Sequence, residues 1–121
     1  MFTSVPPLPE LIDTFLEYME IERNCSKLTI RDYRHYLASF QNWLTTTMPD
    51  KTISDLDLAI VRKYRVHLAN RYDAKGMTLA RVTQNYYVIA LRSFLRFLIK
   101  NDYKTYFISE KGLNYLNKYS V

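Results

Sequence analysis

The chemically useful side chains of this sequence are cations and amides at helical spacing. Lys27, Arg31, Arg34, His35, Gln41 and Asn42 fall on one side of a 100°-per-residue wheel, and Arg81, Asn85, Arg92 and Arg96 align on another. Lysine and arginine neutralise phosphates and release counterions, while Asn, Gln and Arg hydrogen-bond to base edges. An α-helix fits the major groove, so two such faces suit bracketing a duplex. Helix starts capped by Ser26 and Thr83 would add free backbone N–H groups for phosphates. Spacing by itself leaves open whether these are binding faces or the wet sides of amphipathic helices.

Other chemistry finds little material. The two histidines, His35 and His67, lie far apart in sequence, and the single cysteine, Cys25, has no partner at ligand spacing, so no metal site is expected. Cys25 also lacks a neighbouring base to activate it as a nucleophile. Gly76 and Gly112 are the only glycines, which excludes a glycine-rich phosphate loop. The acids of the first segment, Glu10, Asp13, Glu17, Glu20 and Glu22, read as a solvated helix face rather than as paired catalytic carboxylates. No cofactor or small-molecule ligand is implied.

The elements that must hold these faces are helices. Few glycines and four prolines, Pro6, Pro7, Pro9 and Pro49, give little scope for hairpins. A first helix is predicted from Leu8 to Arg23, with Leu8, Leu11, Ile12, Phe15, Leu16 and Met19 inward. Asn24-Cys25-Ser26 breaks the pattern, and Ser26 caps a second helix from Lys27 to Thr45. Ile30, Tyr33, Tyr36, Leu37, Phe40, Trp43 and Leu44 form its apolar side. A loop through Thr52 and Ile53 leads to Asp57, the cap of a third helix over Leu58 to Tyr72, with Val61, Tyr64, Leu68 and Tyr72 inward. After the Asp73-Ala74-Lys75-Gly76 turn, Leu79 to Val82 is open between loop and helix. A fourth helix over Thr83 to Asn101 buries Tyr87, Leu91, Phe94, Leu95 and Leu98, although Val88 spoils its stripe. A short fifth helix over Glu110 to Lys118 is one reading of the tail.

The 121 residues make about one domain, and 48% hydrophobic residues suffice for one core. A single cysteine excludes an internal disulfide and suits a reducing compartment. With no membrane-length apolar run and no signal-peptide pattern at Met1-Phe2-Thr3-Ser4, a cytoplasmic protein is expected. The net charge of +5 is unevenly spread: residues 1–25 carry −4 and residues 26–104 carry +8. That asymmetry predicts one face turned to a polyanion and another turned away.

The residues also resemble a known family. Ser26-Lys27-Leu28-Thr29-Ile30-Arg31-Asp32-Tyr33, continued by Leu37, Phe40 and Trp43-Leu44, is similar to the opening of the N-terminal core-binding, or SAM-like, domain of tyrosine recombinases and phage integrases. Thr83-Gln84-Asn85, followed by Ala90-Leu91-Arg92-Ser93-Phe94-Leu95-Arg96-Phe97-Leu98, resembles a later helix of that domain. The likeness covers roughly residues 8 to 103. It implies an all-α, compact bundle of four to five helices that forms half of a clamp on a recombination-site duplex. By the same resemblance, DNA contacts fall on Lys27, Thr29, Arg31 and Arg34, and on Arg81, Thr83, Gln84, Asn85, Arg92 and Arg96. Gln84 and Asn85 are the candidates for base edges. The partners implied are double-stranded DNA and other recombinase protomers, with no membrane.

The catalytic set of that family has no counterpart in these residues. Its chemistry uses two arginines, a lysine, an H-x-x-R box and a tyrosine nucleophile in a separate domain. Here His67 precedes Arg71 by four residues, and the eleven tyrosines read as core edges and DNA-flanking aromatics. The expectation is a non-catalytic module: residues 1–104 as the core-binding domain, and 105–121 as a tail, a short fifth helix or the start of a linker to a catalytic domain. The alternative is a helical interaction module that associates with a recombinase or with its own kind, with DNA binding secondary.

Overall fold

The computed structural model describes residues 6–101. Four α-helices follow one another, α1 (Leu8–Ile21), α2 (Lys27–Thr47), α3 (Leu58–Ala69) and α4 (Arg81–Lys100), with one 3-10 turn at Ile53–Asp55 between α2 and α3. The all-α bundle expected from the sequence is the fold found. The expected fifth helix and the tail beyond Asn101 lie outside the described residues.

Helix α1 starts directly after Pro7 and buries Leu11, Ile12, Phe15, Leu16 and Met19. It stops two residues short of the expected Arg23. The cause is local: Asn24 turns left-handed at φ 52°, a conformation asparagine tolerates better than most residues. The amides of Glu22 and Arg23 both donate to the Tyr18 carbonyl, and Cys25 N–H donates to Met19 O, closing the helix end.

Ser26 then caps α2 as expected, its hydroxyl accepting from Thr29 N–H at 3.2 Å. Leu37, Phe40, Trp43 and Leu44 are buried, while Ile30, Tyr33 and Tyr36 are half-buried against the same core. The helix continues two residues past Thr45 and ends before Pro49, with Met48 N–H on the Leu44 carbonyl. The segment read as a loop is instead a 3-10 turn. Thr52 and Asp55 bond reciprocally across it, which carries Ile53 and Leu56 into the core.

Asp57 caps α3 by accepting from Ile60 N–H at 2.9 Å. The expectation that α3 reaches Tyr72 is overturned. Asn70 N–H and its side-chain amide both bond the Val66 carbonyl, which ends the helix at Ala69. Tyr72 therefore leaves the buried stripe, is 69% exposed, and pairs in antiparallel fashion with Thr78. Ile60 takes a place in the core beside Val61, Tyr64 and Leu68. Between Tyr72 and Thr78 the Asp73 carboxylate accepts from Lys75 and Met77 N–H, and Gly76 supplies the positive φ (77°).

Helix α4 begins at Arg81, so Thr83 is not its cap. Ala80 holds the cap position without a side-chain bond, and Thr83 sits inside the first turn. The Gln84 side-chain amide secures this start by donating to Leu79 O at 2.9 Å. Helix α4 packs on α1, α2 and α3, which explains Val88. With neighbours on several sides, the helix buries Val88, Ala90 and Phe97 in addition to the expected stripe.

Aromatic contacts join the layers. Phe15 of α1 meets Phe94 and Phe97 of α4 at centroid distances of 5.6 and 5.3 Å. Tyr64 of α3 lies 5.0 Å from Phe40 and 5.2 Å from Trp43 of α2. Among the described residues, no helix is long and apolar enough to cross a membrane.

Phe94→Ala should cost about 3–5 kcal/mol, because it empties a fully buried ring site between two helices. Urea unfolding followed by circular dichroism measures it. Tyr64 gives a pH signature. Burial raises its hydroxyl pKa above the ordinary 10.0, with the Ser39 hydrogen bond opposing. The unfolded chain loses this proton from about pH 10 upward while the folded chain keeps it, so stability falls as pH rises past 10. Tyr64→Phe should flatten that alkaline loss, as read in melting temperatures between pH 8 and 11.

Candidate nucleic-acid interface

Two neighbouring helices, α2 and α4, carry all ten residues singled out by the sequence. On α2, Lys27 and Arg31 are exposed on the outer side. Arg31 pairs only with its chain neighbour Asp32 at 3.2 Å, an exposed contact that a phosphate can replace at little cost. Thr29 is half-buried, and its hydroxyl lies 3.0 Å from the Ser26 hydroxyl within the cap.

Arg34 is placed differently. Its guanidinium turns toward α1 and meets Asp13 at 2.9 Å, on the flank where α1 packs. A residue grouped by the wheel with Lys27 and Arg31 thus joins two helices.

On α4, Arg81 and Arg96 are exposed, whereas Thr83, Gln84, Asn85 and Arg92 are half-buried. The Gln84 amide nitrogen is already engaged by Leu79 O, leaving its carbonyl oxygen as the group for further bonding. Arg92 has a buried Nε with no hydrogen-bond acceptor among the described residues. Desolvation lowers its pKa from the ordinary value, the nearby Arg96 charge lowers it further, and Tyr33 of α2 opposes. Arg92 therefore lies within electrostatic reach of α2, beside a like charge and partly stripped of water. An anion would relieve both costs.

The seam between the helices is aromatic, a feature missed in the sequence. Tyr36 of α2 stacks on Tyr86 of α4 at 6.5 Å and meets Tyr87 at 4.7 Å. His35 Nε2 lies 3.1 Å from the Tyr87 hydroxyl. Burial, and then the Asp32 carboxylate, push the Tyr36 hydroxyl pKa upward, so Tyr36 keeps its proton near neutral pH. Arg71, from beyond the end of α3, lies over the Tyr87 ring at 5.7 Å and donates to the Ser39 hydroxyl at 3.3 Å. The adjacent pair Tyr86-Tyr87 was the available signal, but only the crossing of α2 and α4 shows what it touches.

The acids lie elsewhere. Glu10, Asp13, Glu17, Glu20 and Glu22 are exposed on or just beyond α1, so the charge asymmetry of the sequence becomes a division between helices. No cluster of three or more metal-ligating side chains occurs among the described residues.

Comparison with known proteins agrees with this architecture. The family model for the phage integrase N-terminal SAM-like domain matches residues 12–102. Tyrosine recombinase XerC of Pediococcus pentosaceus is 41% identical over 93 residues, which cover 77% of this chain and 29% of that protein. XerC of Oceanobacillus iheyensis is 33% identical over 92 residues, covering 76% of this chain and 28% of its own length. XerC of Bacillus subtilis is 33% identical over 89 residues, covering 74% of this chain and 27% of the relative. The match thus spans under a third of the length of these curated relatives. No solved structure matches the chain.

The Arg34–Asp13 pair is exposed on both sides, so its coupling should be only about 0.2–1 kcal/mol. A double-mutant cycle with Arg34→Ala and Asp13→Ala measures it. A larger coupling would mean that this pair fixes the angle between α1 and α2.

Proposed function

The chain belongs to the phage integrase N-terminal SAM-like domain family, and on that premise we propose that it grips duplex DNA at a recombination site for a tyrosine recombinase. Residues 1–104 act as the core-binding module, and 105–121 are its tail, a short fifth helix or the start of a linker to a catalytic domain. The chemical step belongs to a catalytic domain of the recombinase, and this chain only holds the duplex, in the cytoplasm.

The observation that carries this reading is the pairing of cationic faces across one seam. Lys27 and Arg31 project from α2, and Arg92 and Arg96 stand one turn apart on α4, with Arg92 near Tyr33 of α2. Phosphate contacts from these four, with Arg81 about 16 Å from Arg92 along α4, give most of the affinity. Thr29, Thr83 and the free oxygen of Gln84 add polar contacts, and Asn85 is the candidate for a base edge. Arg34 contributes least, since binding DNA means giving up Asp13.

The acidic α1 supports protomer association as a second role. Glu17 and Glu20 are exposed on a helix that the cationic faces do not share, and they complement the basic surface of a neighbouring protomer.

Four to six phosphate contacts predict a log–log salt slope of about −4 to −5, and thus a loss of about a hundredfold to a thousandfold in affinity between 50 and 200 mM salt. Fluorescence anisotropy with a labelled duplex reads this directly. The double variant Arg31→Ala/Arg92→Ala should bind at least tenfold more weakly with its helical spectrum unchanged, and undiminished binding would reject this surface. A nicked suicide duplex should trap no phosphotyrosine adduct on the chain.

A further inference from the structure

A groove of about 340 Å³ opens beside the C-terminal half of α2, away from the residues assigned above. It is lined by Ser39, Asn42, Thr46 and Thr47 of α2, with His67 and Arg71 across from them and Trp43 at its base. No carboxylate is among the described residues lining it.

Arg71 is held there by two anchors. One N–H donates to the Ser39 hydroxyl at 3.3 Å, and the guanidinium plane lies over Tyr87 at 5.7 Å. A guanidinium has five N–H donors in a fixed fork, so most of its donor capacity is left for another acceptor. Ser39 Oγ also accepts from the Tyr64 hydroxyl at 3.2 Å. Having accepted twice, Ser39 keeps its own proton to donate. The Asn42 amide and the hydroxyls of Thr46 and Thr47 add donors on the exposed rim. Burial lowers the His67 pKa, and the Arg71 charge lowers it further, so Arg71 is the charged group that His67 faces in the groove.

The place of the groove matters as much as its chemistry. Arg31, His35, Asn42 and Thr46 follow one another at intervals of four, seven and four residues down the outer side of α2, all exposed. At 1.5 Å per residue, Asn42 lies about 16 Å along the axis from Arg31, on the same side. A duplex held against the outer side of α2 therefore runs past the groove.

We propose that this groove receives a backbone phosphate of the bound duplex, with Arg71 as the principal contact and Ser39 and Asn42 as supporting donors. The inference rests on the reading of α2 as a DNA-facing helix and extends that surface onto the end of α3. Arg71 belongs to neither helical face from which the DNA contacts were drawn.

The test uses the full chain and a labelled duplex in anisotropy titrations at several salt concentrations. Arg71→Gln should weaken binding about fivefold to tenfold, equally on different duplex sequences, and reduce the salt slope by about 1. Arg71→Lys keeps the charge and should retain the slope, which separates phosphate contact from the bracing of Ser39 and Tyr87. Asn42→Asp changes an exposed rim residue and should weaken binding comparably without altering thermal unfolding. If the parent binds DNA and both Arg71→Gln and Asn42→Asp match it in affinity and slope, the site is wrong while the DNA-binding reading stands. Absence of parent binding to any duplex would reject both. Inorganic phosphate, followed through the His67 imidazole signals by NMR, distinguishes the sources. Perturbation of His67 by phosphate, with DNA binding indifferent to Arg71→Gln, would assign the groove to free phosphate and overturn the duplex contact.

Discussion

Everything in this domain depends on how α4 is buried. Its residues Tyr87, Val88, Ala90, Leu91, Phe94, Leu95, Phe97 and Leu98 cover about half of its circumference at 100° per residue, and it touches each of the other helices. At about 25 cal/mol per Å² of apolar surface removed from water, one such helix can organise three neighbours. The remaining strip of α4 is left for solvent, and the exposed Arg96 and half-buried Arg92 lie on it, with Val82, Tyr86 and Lys100 also exposed on this helix. The cationic face of α4 is thus a consequence of its burial, because the strip between two packed neighbours is where its charges can remain hydrated.

The same constraint explains why α2 and α4 act as one surface. Tyr36, Tyr86 and Tyr87 fill the seam with rings, the hydroxyl of the buried Tyr87 meets His35 Nε2, and Ser39 accepts from Tyr64 nearby. Amphipathic aromatics allow two cationic helices to approach without burying charge between them. The cost appears at Arg92, where desolvation and the Arg96 charge both disfavour the cation. A free domain holding such a charge gains more from a phosphate than one whose arginines are all solvated.

Much of this was legible in the sequence, and the failures have local causes. The cores of α1 and α2 follow from apolar spacing, and Ser26 and Asp57 cap as their residue types require. Tyr72 was misassigned because an apolar period cannot register Asn70, whose two bonds to Val66 O stop α3 early. Thr83 was misread as a cap because Ala80, with no capping side chain, gives no signal at the true start. Arg34 and Arg71 exchange importance for a different reason. A helical wheel gives the direction of a side chain from its axis but not the neighbour found there, and Asp13 in one case and Ser39 in the other come from tertiary packing.

The division of charge also bears on the proposed grip on DNA. The cations are spread over helix surfaces, an arrangement suited to many weak, salt-sensitive phosphate contacts rather than to a concentrated field at one phosphorus atom. Two of the buried or half-buried tyrosines, Tyr64 and Tyr36, serve as packing rings rather than as activated hydroxyls. Tyr64 is buried with its hydroxyl held above the usual range, and Tyr36 is shifted the same way by burial and Asp32. Nucleophilic use of either would require the opposite shift, from a cation or base close to the oxygen. Arg71 lies over a ring face of Tyr87, and one of its N–H groups goes to Ser39 rather than to the Tyr64 oxygen. What the geometry of these residues offers is placement of side chains across two helices, with neither phenol beside a group that would activate it among the described residues.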